Sequence, residues 1–236
     1  MKKNEKLYEG KAKIVYSTDD PNLLVIHFKD DATAFNGLKK GTIENKGKVN
    51  CQITALIYEK LEKAGISTHF VKLNADDELL VKRSEIVPVE VVLRNKVAGS
   101  LAKRLGLKEG TALKRTILEW YYKSDELGDP MINEDHIRAF EFATEDEIAS
   151  IKKTSFVIND WLINFFKGIG IELIDYKLEY GRHKGKLVLA DEITPDGCRL
   201  WDLATGEKLD KDRFRRDLGG VEEAYNRVHE LISASI

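Results

Sequence analysis

The sequence predicts an α+β protein in two lobes. Three observations carry that prediction. The first third of the chain reads as strands around a single helix. The remainder mixes strands with one long capped helix and a terminal helix. Hydrophobic residues make up 42% of the 236 residues, with only 4 Pro, enough for a sizeable core and without the composition of a disordered chain. The boundary falls at residues 83–87, giving an N-terminal, mostly antiparallel lobe over 1–84 and a larger mixed C-terminal lobe over 85–236.

Residues 7–16 and 23–28 have strand-like patterns, joined by the turn formers of Ser17-Thr18-Asp19-Asp20-Pro21-Asn22. A loop is expected over 29–37. Ile53, Leu56, Ile57, Leu61 and Ala64 then follow helical spacing, and Gly65 is placed to end that helix in a left-handed conformation. Residues 68–73 and 78–83 read as a hairpin about Asn74-Ala75-Asp76-Asp77. In the second lobe come a strand over 86–93, a short helix that Ser100 is placed to cap, and aromatic Trp120-Tyr121-Tyr122 before the turn Gly128-Asp129-Pro130. Thr144-Glu145-Asp146-Glu147 has capping-box spacing and opens a helix with Ile148, Ile151, Ser155, Leu162, Ile163 and Phe166 on one stripe, stopped by Gly168 and Gly170. Strands over 172–180 and 186–193 flank Gly181-Arg182-His183-Lys184-Gly185 as a hairpin. Val221, Ala224, Tyr225, Val228 and Leu231 mark the last helix.

Charge and cysteine content narrow the function. The 38 Lys+Arg against 40 Asp+Glu argue against a chain whose main task is coating nucleic acid or an anionic membrane. Cys51 and Cys198 lie far apart without a CxxC or Cys/His cluster, so neither a zinc site nor a disulfide framework is indicated. With no signal-peptide pattern after Met1-Lys2-Lys3 and no apolar run near the roughly 18 residues that span a bilayer, a cytoplasmic protein is expected.

The strongest local pattern is Leu173-Ile174-Asp175-Tyr176-Lys177-Leu178-Glu179-Tyr180-Gly181. A strand alternates its side chains, so Asp175, Lys177 and Glu179 share one face and Ile174, Tyr176, Leu178 and Tyr180 the other. The partner strand runs into Asp191-Glu192. Two acids from adjacent strands suit a hard cation such as Mg²⁺, which takes one or two carboxylates plus phosphate and water; the alternative is a solvated face laced with cross-strand ion pairs. Lys11 and Lys13 beside Gly10 suit a polyphosphate, or simply protect an edge strand. Neither GxxxxGK[ST] nor GxGxxG occurs, so a nucleotide must be held in another way. Arg94 at the end of Val87-Pro88-Val89-Glu90-Val91-Val92-Leu93-Arg94, followed by Gly99-Ser100, offers a guanidinium fork, a hydroxyl and backbone N–H groups to a phosphate, unless Ser100 only caps its helix and Arg94 meets a surface acid. Arg199, just downstream of Asp191, is placed to add a second arginine. The cluster Lys211, Arg213, Arg215 and Arg216 is interleaved with Asp210, Asp212 and Asp217.

Taken in order, these segments resemble the SAICAR synthetase family of purine biosynthesis. The resemblance is carried by Tyr8-Glu9-Gly10-Lys11-Ala12-Lys13, by Val87 through Arg94 to Ala98-Gly99-Ser100, by Leu173 to Gly181, by Ala190-Asp191-Glu192-Ile193-Thr194-Pro195-Asp196 and by Asp210-Lys211-Asp212-Arg213-Phe214-Arg215, and it covers essentially the whole chain. It implies an ATP-dependent ligase that joins carboxyaminoimidazole ribonucleotide (CAIR) to L-aspartate through an acyl phosphate, in a homodimer that uses ATP and Mg²⁺ and needs neither nucleic acid nor membrane. It implies an N-terminal lobe like the ATP-holding lobe of protein kinases, with the active site between the lobes. Lys11, Lys13 and Lys123 would meet the ATP phosphates, Val15 and Leu24 the adenine, Glu179 and Asp191 the magnesium, and Lys177 the transferring group. Arg94, Ser100 and Arg199 would hold the CAIR phosphate, Asp175 its ribose or imidazole substituents, and Lys211 and Arg215 the aspartate carboxylates, with Asp129 a further candidate. A kinase lacks support because no HRD…N and DFG set occurs. A non-catalytic nucleotide-binding regulator has no need of Glu179 and Asp191 together.

Overall fold

Lys6–Glu9 (β1) and Lys13–Ser17 (β2) form an antiparallel hairpin in the computed structural model, which describes residues 1–34 and 37–235. The single strand expected over 7–16 is therefore interrupted. Gly10 N–H donates to the Lys13 carbonyl at 2.8 Å and closes a tight turn over residues 10–12, which leaves Lys11 at the tip and Lys13 in the sheet. β2 pairs with Leu23–Phe28 (β3). Part of the expected loop over 29–37 is a small separate hairpin of Asp31–Ala34 (β4) and Lys39–Thr42 (β5); residues 35 and 36 of that loop lie outside the described residues. The alternation that makes β4 a strand buries only Ala32 and Ala34, too little apolar surface to register as a hydrophobic pattern.

The helix Lys46–Lys63 (α1) carries the expected stripe but starts seven residues before its first apolar member, and Gly65 follows it at φ 87°. Phe70–Ala75 (β6) and Glu78–Lys82 (β7) complete an antiparallel sheet in the order β1-β2-β3-β7-β6. Residues opposite one another in an antiparallel pair share a face. The register Lys13↔Phe28, Val15↔Ile26 and Ser17↔Leu24 therefore sets Lys13, Val15 and Leu24 on the same face as core residues Ile26 and Phe28.

The second sheet begins with Glu85–Lys96 (β8), followed by the helix Gly99–Leu105 (α2) and the strand Ala112–Tyr122 (β9). Ser100 lies inside α2; Ala98 is the residue at its N-cap, so the expected cap is displaced by two positions. Next come Met131–Ile132 (β10), Glu134–Ala139 (α3) and the long helix Glu145–Gly168 (α4). The capping box forms as expected: Thr144 Oγ1 accepts from Glu147 N–H at 3.2 Å and Glu147 Oε2 from Thr144 N–H at 2.9 Å. Gly168 stays within the helix and the left-handed turn comes at Gly170. Ile171–His183 (β11) is the central strand, antiparallel to β8 on one side. On its other side the first half pairs with Cys198–Asp202 (β13) and the second half with Lys186–Ala190 (β12). The strand expected to reach residue 193 stops at Ala190 because Asp191 adopts φ 64°. Asp212–Arg215 (α5) and Val221–Ser233 (α6) end the chain, and α6 packs against α1.

One face of this sheet is the core. Val89, Val91, Leu93, Trp120, Tyr176, Leu178 and Tyr180 are buried beneath Ile148, Ile151, Ile158, Leu162 and Phe166 of α4, each contributing roughly 1.5–3 kcal/mol of apolar burial. The opposite face carries the charge.

Candidate active site

The register builds the site. Asp175 lies opposite Arg94, Lys177 opposite Val92 and Glu179 opposite Glu90, so β8 and β11 project Glu90, Arg94, Asp175, Lys177 and Glu179 from one face. Glu119 and Tyr121 of β9 join them, opposite Val92 and Glu90. Since alternate residues of a strand are about 6.6–6.8 Å apart, Asp175 and Glu179 mark two centres about 13 Å apart along β11.

At the Glu179 end three lysines converge. Lys177 Nζ lies 2.8 Å from Glu90 Oε1, bonds Glu179 Oε1 and stands 3.5 Å from Asp191 Oδ2. Lys123 reaches Glu179 Oε1 at 2.9 Å. Lys13 crosses from the first sheet to bond Asp191 Oδ1, with Glu192 Oε1 at 3.5 Å. Burial pushes the Lys177 and Lys13 ammonium groups down, but the surrounding carboxylates outweigh it, Glu179 first for Lys177 and Asp191 first for Lys13, so both rise above the ordinary lysine value. Burial raises Asp191, and Lys13 and Lys177 more than reverse this, holding it well below the usual carboxylate range. Glu90 and Glu192 are raised chiefly by burial. Glu192 Oε2 is buried without a hydrogen-bond partner among the described residues. Three ammonium groups thus face four carboxylates, a formal charge of −1.

At the Asp175 end the balance has the other sign. Arg94 is buried and donates to Glu119 Oε2 at 2.6 Å, Asp175 Oδ2 at 2.8 Å, Ser100 Oγ at 2.8 Å and the Tyr121 hydroxyl at 3.2 Å. Arg199 Nη1 donates to both oxygens of Asp175 at 3.0 Å, and its Nε to Asp212 Oδ2 at 3.0 Å. Arg215 reaches Asp212 Oδ1 at 2.7 Å and Arg104 bonds Glu119. Arg216 stands 3.3 Å from Asp212 and also pairs with Glu109, so five guanidinium groups, of Arg94, Arg104, Arg199, Arg215 and Arg216, face the four carboxylates Glu109, Glu119, Asp175 and Asp212, a formal charge of +1. Burial raises the Asp212 carboxyl, but Arg199 and Arg215 pull it down to about 2. Gly99, at φ 50°, lets the backbone lie against Arg199: a Cβ there would stand 2.4 Å from Nη2.

A third group sits beside both. Asp196 is held by Lys46 Nζ at 3.0 Å, Lys211 Nζ at 3.4 Å and the Tyr225 hydroxyl at 2.6 Å.

The structure thus brings together Lys13, Lys123, Lys177, Glu179 and Asp191 in one cluster and Arg94, Ser100, Asp175, Arg199 and Arg215 in the next, with Lys211 in the third. Val15 and Leu24 are half-buried on the Lys13 face of the first sheet. Lys11 is not with Lys13: at the turn tip it pairs with exposed Asp125 at 2.7 Å. Asp129 accepts from Ser124 N–H at 2.9 Å and shapes that loop. Lys46, Glu119, Asp212, Tyr121 and Tyr225 are site residues that pattern reading passed over. Only Asp212 carried a signal, as one acid of the interleaved run with Lys211 and Arg215.

Among the described residues, the set of three His, Cys, Asp or Glu ligand atoms within 4.8 Å of one another is His27, Asp77 and Glu78. His27 is adjacent to Phe28 on β3 and so belongs to the opposite face of the first sheet from Lys13. A cavity of about 730 Å³ lined by His27, Asp30, Asn45, Lys48, Asp76 and Asp77 includes no member of the three clusters.

Fold and site define an α+β protein in which one face of the second sheet carries an electropositive arginine cluster beside a lysine–carboxylate cluster of formal charge −1. The model of the SAICAR synthetase family matches residues 6–232. A phosphoribosylaminoimidazole-succinocarboxamide synthase of Magnetococcus marinus is 63% identical over 231 residues, covering 97% of this chain and 96% of its own. One from Caldanaerobacter subterraneus is 59% identical over 228 residues, covering 97% of each. The crystal structure of the synthase of Ehrlichia chaffeensis superimposes with a TM-score of 0.96 at 47% identity, covering 98% of this chain and 99% of its own. A SAICAR synthetase in complex with ADP gives 0.93 at 47% identity, covering 96% and 97%. The chain belongs to the SAICAR synthetase family.

Proposed function

We infer that this chain joins CAIR to L-aspartate, with ATP converted to ADP and phosphate. The observation that carries the reading is the single sheet face on which an electropositive arginine cluster and a lysine–carboxylate cluster stand about 13 Å apart, room for a phosphorylated ribonucleotide to span from one to the other. A carboxylate is a poor acyl donor. Transfer of the ATP γ-phosphoryl group to an oxygen of the CAIR carboxylate makes an acyl phosphate; the aspartate amine then forms the C–N bond as the C–O bond breaks and phosphate leaves with the electron pair. Such transfers are promoted mainly by positioning and by cations around the moving group.

Lys13, Lys123 and Lys177 are the cations at that end; Lys11, at the exposed turn tip, would meet the ATP phosphates from outside that cluster. Val15 and Leu24 offer the adenine an apolar face. Arg94, Ser100 and Arg199 hold the CAIR phosphate and Asp175 its ribose or imidazole substituents. Lys211 and Arg215 lie where they could meet the aspartate carboxylates.

Magnesium fits the donor set. The formal charge of −1 would repel a bare polyphosphate, Glu179 of β11 and Asp191 just past the end of neighbouring β12 present hard oxygen donors, and Glu192 keeps one carboxylate oxygen without a partner among the described residues. Glu179 and Asp191 are the residues to hold it, and when bound it neutralises phosphate oxygens. The lysines, already paired with these acids, can turn toward phosphate without leaving them.

Homodimeric assembly and a cytoplasmic location belong to the same reading; no helix of the described residues is long and apolar enough to cross a membrane. The test is ADP release from purified protein with MgATP, CAIR and L-aspartate, omitting each in turn. Release only with all three, with a product mass of CAIR plus aspartate less water, is expected; ATP loss without that product would refute the ligase.

A further inference from the structure

We propose that Tyr58 is a positioning residue for Asp191, restraining the peptide plane from which that carboxylate projects; the inference rests on the reading of Asp191 as a magnesium ligand. Asp191 is the first residue beyond β12, and its φ of 64° is a left-handed conformation, uncommon outside glycine although Asp tolerates it better than most side chains do, so contacts that restrain the preceding peptide help to hold it. Those contacts come from the first third of the chain. Leu189 N–H donates to the Ser67 carbonyl at 2.9 Å and His69 N–H to the Leu189 carbonyl at 2.8 Å, so residues 67–69 flank the end of β12. One residue further on, Tyr58 of α1 donates its hydroxyl to the Ala190 carbonyl at 2.7 Å.

That carbonyl belongs to the peptide linking Ala190 to Asp191. Holding its oxygen restrains the orientation of the plane and, through it, the φ of Asp191. Both Tyr58 and Ala190 are essentially inaccessible, so water does not replace the bond. The Tyr58 ring is itself held between His69, edge-on at 5.7 Å between centroids, and Phe70, edge-on at 6.5 Å. Without the hydroxyl, the peptide loses one of its restraints and can tilt toward an extended φ, which draws the carboxylate away from Lys13 and Lys177 and from a shared cation. Tyr58 touches neither substrate nor metal, so it acts through Asp191.

The experiment measures Mn²⁺ binding by electron paramagnetic resonance in the presence of ADP, on the full chain and on Tyr58→Phe, with the thermal midpoint recorded for each. The control is Tyr180→Phe, which removes an equally buried hydroxyl bonded to Ser155 Oγ at 2.8 Å on the opposite face of the second sheet. Tyr58→Phe is expected to weaken Mn²⁺ binding about 10- to 100-fold, the usual effect of losing a residue that orients a metal ligand, while Tyr180→Phe binds as the unsubstituted chain does. His69→Gln, which removes the flanking ring, is the second variant and should shift the affinity in the same direction. Unchanged affinity in either folded variant, or equal weakening in Tyr58→Phe and Tyr180→Phe, would overturn the inference. No Mn²⁺ bound by the unsubstituted chain would instead overturn the metal site itself.

Discussion

Gly99→Ala should separate the arginine end of the cleft from the lysine end. An added Cβ lies 2.4 Å from Arg199 Nη2, 2.5 Å from Cζ and 2.7 Å from Nη1, whereas ordinary contact begins at 3.4 Å. The guanidinium must retreat by about 1 Å, because the backbone is held by the entry to α2. It cannot do so and keep its hydrogen bonds to Asp175 at 3.0 Å and to Asp212 at 3.0 and 3.4 Å. Loss of one such charge-assisted contact costs roughly 1.5–3 kcal/mol, and alanine at φ 50° adds about 1–2 kcal/mol. The variant is expected to be destabilised by about 2.5–5 kcal/mol. If the displaced guanidinium loses one contact of that size to the nucleotide phosphate, kcat/KM for CAIR falls about 10- to 100-fold. The Gly99 contact reaches no residue of the lysine cluster, so KM for ATP should stay within about two-fold. Steady-state rates of ADP release, varying CAIR or ATP against saturating partners, give both constants. Unchanged kcat/KM for CAIR, or equal losses for CAIR and ATP, would refute the placement of the phosphate at Arg199.

Asp191→Asn removes one carboxylate, yet Lys13 keeps Glu192 at 3.5 Å and Lys177 keeps Glu90 at 2.8 Å, so the fold should persist while turnover falls by about 10²–10³ or more; near-normal activity would exclude Asp191 from the metal site. Burial, aided by Asp212, pushes the Asp210 carboxyl up to about 7. With the folded value above an unfolded one of about 3.9, the folded chain binds more protons between them, so this group makes stability fall by up to about 4 kcal/mol as pH rises from about 4 to 7. Denaturation of Asp210→Asn across that range should show its stability, relative to the unsubstituted chain, climbing with pH and levelling above 7; a constant difference would contradict the sign. Leu162→Ala, in the α4 stripe under the second sheet, should cost about 2–5 kcal/mol in chemical denaturation and leave KM for both nucleotides unchanged.

What could be read from the sequence followed from local periodicity. The alternation in residues 173–181 placed Asp175, Lys177 and Glu179 on one face and the aromatic core on the other, and Thr144 with Glu147 fixed the start of α4. Lys11 and Lys13 beside Gly10 suited one polyphosphate, but Gly10 starts a turn that parts the two lysines. The third cluster was hidden for a different reason. Lys46 lies at the very start of α1, before the apolar stripe begins, and meets Asp196 across 150 residues of chain; only the pairing of lobes brings them within 3.0 Å. Glu119, next to Trp120 on β9, reads as the polar half of an ordinary alternation until the sheet register sets it beside Arg94. Long-range register, which no local pattern encodes, also decided which arginine meets which acid.

The most direct test follows an oxygen atom. CAIR labelled with ¹⁸O in its carboxylate is converted with ATP and L-aspartate, and the released phosphate is analysed by mass spectrometry. One ¹⁸O in each phosphate is expected, since the carboxylate oxygen that accepts the phosphoryl group leaves with it when the amide forms. Unlabelled phosphate would contradict an acyl phosphate and, with it, the assignment of Lys13, Lys123 and Lys177 to phosphoryl transfer onto CAIR.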